Sequence, residues 1–148
     1  VRHALHQAAI PAHQIELEIT ESIVVGTEGA TIDKLNELQA MNLNISIDDF
    51  GTGYSSMSYL KRLPISTLKI DRSFIKDTPG DSEDVAITSA IIAMAKILKL
   101  DIVAEGVETQ EQIDFLLGQG CTVIQGYFIS PPIPAQAFGE MLQAQVDF

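Results

Sequence analysis

The chain has 148 residues, 46% of them hydrophobic, and carries twenty acidic against nine basic side chains for a formal net charge of -11. That apolar fraction supports one packed domain and excludes a disordered chain, while the acidic balance excludes the basic stripe on which DNA or RNA binding rests. The single cysteine, Cys121, excludes an internal disulfide framework, suits a reducing, cytoplasmic setting and reads as a small buried hydrophobe.

In chain order, "VRHALHQ" opens with His3 and His6 at helical spacing. They could share a metal in principle, but with His13 they lie away from every strand end and read as solvent-exposed. Five short apolar runs rich in β-branched residues follow: "QIELEIT", "NISIDD", "STLKID", "DIVAEG" and "TVIQGY". Longer helical segments separate them, and this alternation predicts βα units on a parallel sheet. "TIDKLNELQAMNL" sets Ile32, Leu35, Leu38 and Met41 at helical spacing, and "DVAITSAIIAMAKIL" does the same with Val85, Thr88, Ile91, Ala95 and Leu98. Lys76 to Asp84, "KDTPGDSED", reads as a loop. Thr109 and Gln112 form a capping box, Gly118 and Gly120 stop that helix, and Pro134 suits the first turn of a closing helix. The longest apolar stretch, "AIIAMAKILKL", is cut by Lys96 and Lys99, so no direct membrane contact is expected.

Each apolar run ends in polar chemistry: Glu18 and Glu21, Asp48 and Asp49, Lys69 and Asp71, Glu105 and Glu108, then Gln125. In a β/α barrel the carboxyl ends of parallel strands build the active site. The fold class expected is therefore α/β, a partial TIM-type (β/α) barrel with about five of eight strands, because a complete barrel takes about 250 residues. Residues 1–148 read as a single truncated domain lacking the barrel's first strands. Its open sheet edges are pairing templates, so a homo-oligomer is expected.

Crowded carboxylates repel unless protons or cations intervene, so Glu18, Asp48, Asp49, Asp71 and Glu105 on one rim point to divalent metal ions. All-oxygen donors favour magnesium, manganese or calcium over zinc. Lys69 in their midst is a cation for developing charge or a partner for an attacking water. Taken singly, each residue has a blander role: the Asp pair as helix cap and solvated turn, Lys69 as a surface residue, Glu21 as a cap, Glu108 as a first-turn helix acid. Their recurrence at successive strand ends favours a metal-dependent site. Gly51 and Gly53 in "DDFGTGYSS" let the backbone bend sharply and do not make a nucleotide P-loop, since no Gly-Lys-Ser/Thr follows.

The stretches "LEITES", "SIDDFGTGYSS", "LPISTLKIDRSFI", "VAEGVET" and "QGYFISPPIP", in this order from about Ile15 to Pro134, carry a resemblance to a known family. The chain resembles the carboxyl-terminal part of EAL domains, bacterial phosphodiesterases that hydrolyse cyclic di-GMP to the linear dinucleotide pGpG. The resemblance implies a two-metal site using magnesium or manganese. In it Glu18 is a metal ligand, Asp48 bridges the ions, Asp49 binds the second and Asp71 is an additional nearby acid. It further implies that Lys69 contacts the catalytic water, that Glu105 is a general base or organises the metals, and that Gln125 holds the water network. Glu21 would anchor the loop Phe50 to Ser56, which in the family links metal occupancy to dimerisation. The Glu-Ala-Leu segment and an asparagine ligand of the next strand do not occur here, so the fragment itself is expected to be inactive or nearly so. A non-catalytic cyclic di-GMP-binding signalling module is the alternative.

Overall fold

A computed structural model describes residues 1–21, 29–53 and 57–144. Helix α1 (Arg2–Ala8) and a 3-10 turn (Ala12–Gln14) lead into β1 (Glu16–Thr20). Then come α2 (Gly29–Ala40), β2 (Asn44–Phe50), α3 (Met57–Leu60), β3 (Thr67–Ile70), α4 (Arg72–Ile75), α5 (Ser82–Leu98), β4 (Asp101–Glu105), α6 (Gln110–Gln119), β5 (Val123–Gln125) and α7 (Ala135–Gln143). The strands form one five-stranded parallel sheet in sequential order.

Alternation along the strands sorts side chains between two faces. Ile45, Ile47, Leu68, Ile70, Ile102 and Ala104 point to the helices and join Leu35, Ile91, Ile92, Ala95 and Leu116 in the hydrophobic core. A fully buried side chain of this size stabilises the fold by about 1.5–3 kcal/mol. The opposite face carries Glu18, Ser46, Thr67, Lys69 and Glu105. Burying one face therefore gathers the polar residues on the other.

Boundaries depart from the sequence reading in four places. Gly118 lies within α6, which only Gly120 ends, at a left-handed φ of 77°. The expected loop over 76–84 ends early, because Asp81 caps α5 by accepting hydrogen bonds from Glu83 N at 2.8 Å and Asp84 N at 3.0 Å. Helix α2 stops at Ala40, and Asn42 turns the chain with a left-handed φ of 65°. Pro134 sits at the N-cap of α7, one position before the first turn. The Thr109–Gln112 capping box is present, and Gln112 also reaches across to Ile75 O at 3.2 Å and Lys76 O at 3.0 Å, tying α6 to the end of α4.

His3 and His6 lie on α1 and are exposed. Cys121 is 1% exposed, and burial pushes its thiol pKa up. Because the thiolate is the nucleophile, Cys121 should resist iodoacetamide in native protein at pH 8 and react fully after denaturation, as read by mass spectrometry. Among the described residues no helix is long and apolar enough to cross a membrane.

Candidate functional site

Lys69 is the centre of the polar face. Its side chain is 7% exposed, and Nζ lies 2.7 Å from Glu18 Oε1, 2.9 Å from Asp48 Oδ1 and 2.8 Å from Glu105 Oε1. Strands β1, β2 and β4 thus each bring one carboxylate to a lysine on β3. Burial opposes the ammonium, but contacts with Glu105, Glu18 and Asp48 together outweigh it and raise the lysine pKa. Lys69 therefore stays protonated. Glu105 moves upward as well, first through burial, with the charges of Asp48 and Glu18 adding to it and Lys69 opposing.

Adjacent residues of a regular strand face opposite sides of the sheet, so an Asp–Asp pair would ordinarily be split. Here the β2–β3 register shifts between Ile47 and Phe50, with three steps along β2 matched to two along β3. Asp49 takes a left-handed φ of 53° at this bulge, a conformation that costs a non-glycine residue energy and clusters at functional sites. Thr52 supports it by donating its hydroxyl to Asp49 O at 2.9 Å. As a result Asp48, Asp49 and Glu105 each present an oxygen within 4.8 Å of the others.

These residues fit a divalent cation. Two oxygens on opposite sides of a Mg²⁺ or Ca²⁺ ion are separated by about 4–5 Å, the scale of the triad. Asp48 Oδ1 is buried, and its one close polar neighbour among the described residues is the Lys69 ammonium at 2.9 Å. Three carboxylates, Glu18, Asp48 and Glu105, meet one lysine, and Asp49 stands beside two of them, which leaves excess negative charge for a cation to offset.

The remaining sequence candidates are placed around this centre. Glu21, 3% exposed, accepts from Gly51 N at 2.8 Å and Gly53 N at 3.1 Å through Oε2, holding the start of the loop after the Asp pair. Gly51 has φ 103°, and a Cβ there would lie 2.6 Å from Phe74. Tyr54, Ser55 and Ser56 of that loop lie outside the described residues. Asp71 is one residue past β3, caps α4 by accepting from Ser73 N at 3.0 Å and from its hydroxyl, and stands outside the Asp48–Asp49–Glu105 triad. Gln125 is exposed and pairs in register with Glu105.

Beside the triad opens a cleft of about 620 Å³, lined by Glu105, Gln125, Tyr127 and the segment Ser130–Ile133, and rimmed by an Arg72–Glu108 ion pair at 2.8 Å. The sequence reading named Glu108 but not Arg72, although Arg72 directly follows the strand-end acid Asp71 and so had to stand on the same rim.

The EAL domain family model matches residues 1–132. The chain is 51% identical over 144 residues to the cyclic di-GMP phosphodiesterase NbdA of Pseudomonas aeruginosa, covering 97% of this chain and 18% of NbdA. It superposes on the MucR phosphodiesterase of the same organism, solved as a c-di-GMP complex, with TM-score 0.89 and 50% identity over 93% of this chain and 56% of that one. With Klebsiella pneumoniae BlrP1, solved as a manganese/cy-diGMP complex, the TM-score is 0.81 at 31% identity, covering 88% and 33%. The chain spans about a fifth of the length of the curated relatives it matches. Its sheet is five strands of the TIM-type barrel of these domains. By family match, identity and superposition together, the chain belongs to the EAL domain family.

Proposed function

We propose that the chain is the carboxyl-terminal part of a metal-dependent phosphodiesterase domain that hydrolyses cyclic di-GMP to linear pGpG. The observation that carries this reading is the buried Lys69 held by Glu18, Asp48 and Glu105 beside the Asp48–Asp49–Glu105 oxygen triad. Glu18, Asp48, Asp49 and, more remotely, Asp71 would hold magnesium or manganese. When bound, these ions supply Lewis-acid polarisation of the phosphodiester and a lowered pKa for water.

The chain's own residues do the rest. Lys69, kept protonated by its carboxylates, orients a water through an N–H donor and offsets charge developing on the phosphoryl oxygens. Glu105, raised in pKa by burial, is a proton acceptor for that water. Gln125, at the end of the neighbouring strand, holds further water by its amide. Tyr127, 64% exposed in the adjoining cleft, offers a ring on which a guanine stacks. Glu21 ties the loop after Asp49 to the end of β1, so that loop position follows occupancy of the Asp pair.

The ligands implied by the resemblance but not found in this sequence belong with the rest of the barrel, and the fragment alone is expected to have little turnover. The outer edges of β1 and β5 suit self-association of the isolated fragment, and a cytoplasmic setting fits its reduced cysteine. The test is cyclic di-GMP hydrolysis by the full protein, with pGpG followed by chromatography. Turnover with Mn²⁺ or Mg²⁺ that EDTA abolishes is expected. Tight binding of the dinucleotide without hydrolysis would instead establish a signalling module.

A further inference from the structure

Ser46 is fully buried on the polar face of β2, in register with Glu18 on β1 and Thr67 on β3, one alternate position before Asp48. Its Oγ has no hydrogen-bond partner among the described residues, and buried Asp48 Oδ1 meets only the Lys69 ammonium, at 2.9 Å. Among the described residues the neighbouring Thr67 hydroxyl makes only long contacts, 3.5 Å to Glu16 Oε2 and 3.5 Å to Ser66 Oγ. Interior layers of a TIM-type barrel are usually filled by bulky branched residues. Ser46 and Thr67 are small and polar instead, just below Lys69.

A buried hydroxyl without a hydrogen bond is costly, and alanine at such a position would serve better. We propose that Ser46 is a positioning residue for Asp48, acting through a buried water held between Ser46 Oγ and Asp48 Oδ1. Alternate residues on one strand face lie about 6.6 Å apart, and two hydrogen bonds of about 2.8 Å reach about 5.6 Å, so one water spans the gap when the two side chains lean toward each other by about 1 Å. The Ser46 hydroxyl donates to the water, which donates one proton to Asp48 Oδ1 and the other to Thr67 Oγ1. That gives the three partners a buried water usually has. A carboxylate offers acceptor sites on both oxygens, so Oδ1 can meet the water and Lys69 while the other oxygen stays free for a cation, and the water fixes the orientation in which Asp48 meets the metal.

The metal-affinity consequence rests on the cation reading given above; the bridge itself does not. In the full protein, Ser46→Ala is expected to weaken Mn²⁺ binding about tenfold, measured by electron paramagnetic resonance, while Ser46→Thr, which keeps the hydroxyl, stays within about twofold of wild type. Metal-free Tm should fall in Ser46→Ala, whereas loss of a truly unbonded hydroxyl would leave it unchanged or raise it. A high-resolution crystal structure of the wild-type protein should show the bridging water. Unchanged Mn²⁺ affinity in Ser46→Ala, or no water density between the two oxygens, overturns the proposal. If the wild-type protein binds no Mn²⁺, the cation reading fails on its own account, and the bridge stands or falls on the density and the metal-free Tm.

Discussion

Lys69→Ala is expected to lower cyclic di-GMP turnover in the full protein by about 10²–10³-fold or more, the scale of losing a positioned charge donor. Glu18, Asp48 and Glu105 converge on the ammonium within 2.9 Å. Removing it leaves their charges to repel, those of Asp48 and Glu105 largely shielded from water and that of half-exposed Glu18 less so. Deleting one partner of a buried ion pair destabilises by about 3–5 kcal/mol, so urea denaturation in EDTA should show a lower midpoint for the variant. The same repulsion makes a cation more valuable, so Mn²⁺ should raise the variant's Tm by more than it raises that of wild type. Wild-type turnover would remove Lys69 from the mechanism, and equal Mn²⁺ shifts would remove it from the charge balance.

Gly126→Ala should be about as damaging to stability, for a steric reason. A Cβ on Gly126 would stand 2.1 Å from Val107 O and 2.3 Å from Val107 N. Those are backbone atoms of a fully buried residue, and they are already committed: Val107 N donates to Gln125 O at 3.1 Å, and Val107 O accepts from Phe128 N at 3.0 Å. The clash cannot be relieved by a rotamer change. Overpacking of about 1–3 kcal/mol combines with the loss of two hydrogen bonds at about 0.5–1.5 kcal/mol each, for a total of about 2–6 kcal/mol. The displaced backbone also carries Gln125 and adjoins Glu105, so cyclic di-GMP affinity should fall along with the urea midpoint. Gly118→Ala in α6 is the control. Nothing lies within 4 Å of a Cβ there, and a helical alanine is favoured over glycine by about 0.5–1 kcal/mol. Equal midpoints for the two variants would show that the Gly126 contact is not a constraint.

Much of this molecule is readable from its pattern. Alternation in "NISIDD" and "STLKID" places Ile45, Ile47, Leu68 and Ile70 on one face, because a strand has period two and one face must meet the helices. The same rule puts Lys69 on the polar face with Ser46 and Thr67. Acids recurring at the ends of successive apolar runs mark one rim, since parallel βα units return every strand in the same direction. Other features depend on contacts between residues far apart in sequence. Strict alternation would send Asp48 and Asp49 to opposite faces, and only the bulge against β3, with Asp49 at φ 53°, brings both toward Glu105. Asp71 follows the strand pattern, but its position before Ser73 makes its carboxylate the cap of α4, a local hydrogen bond that side-chain periodicity does not report. The start of α5 was set by Asp81 rather than by apolar spacing. Lys69 reads as one cation among several acids until the sheet closes three strands around it, and its burial and protonation come from that closure.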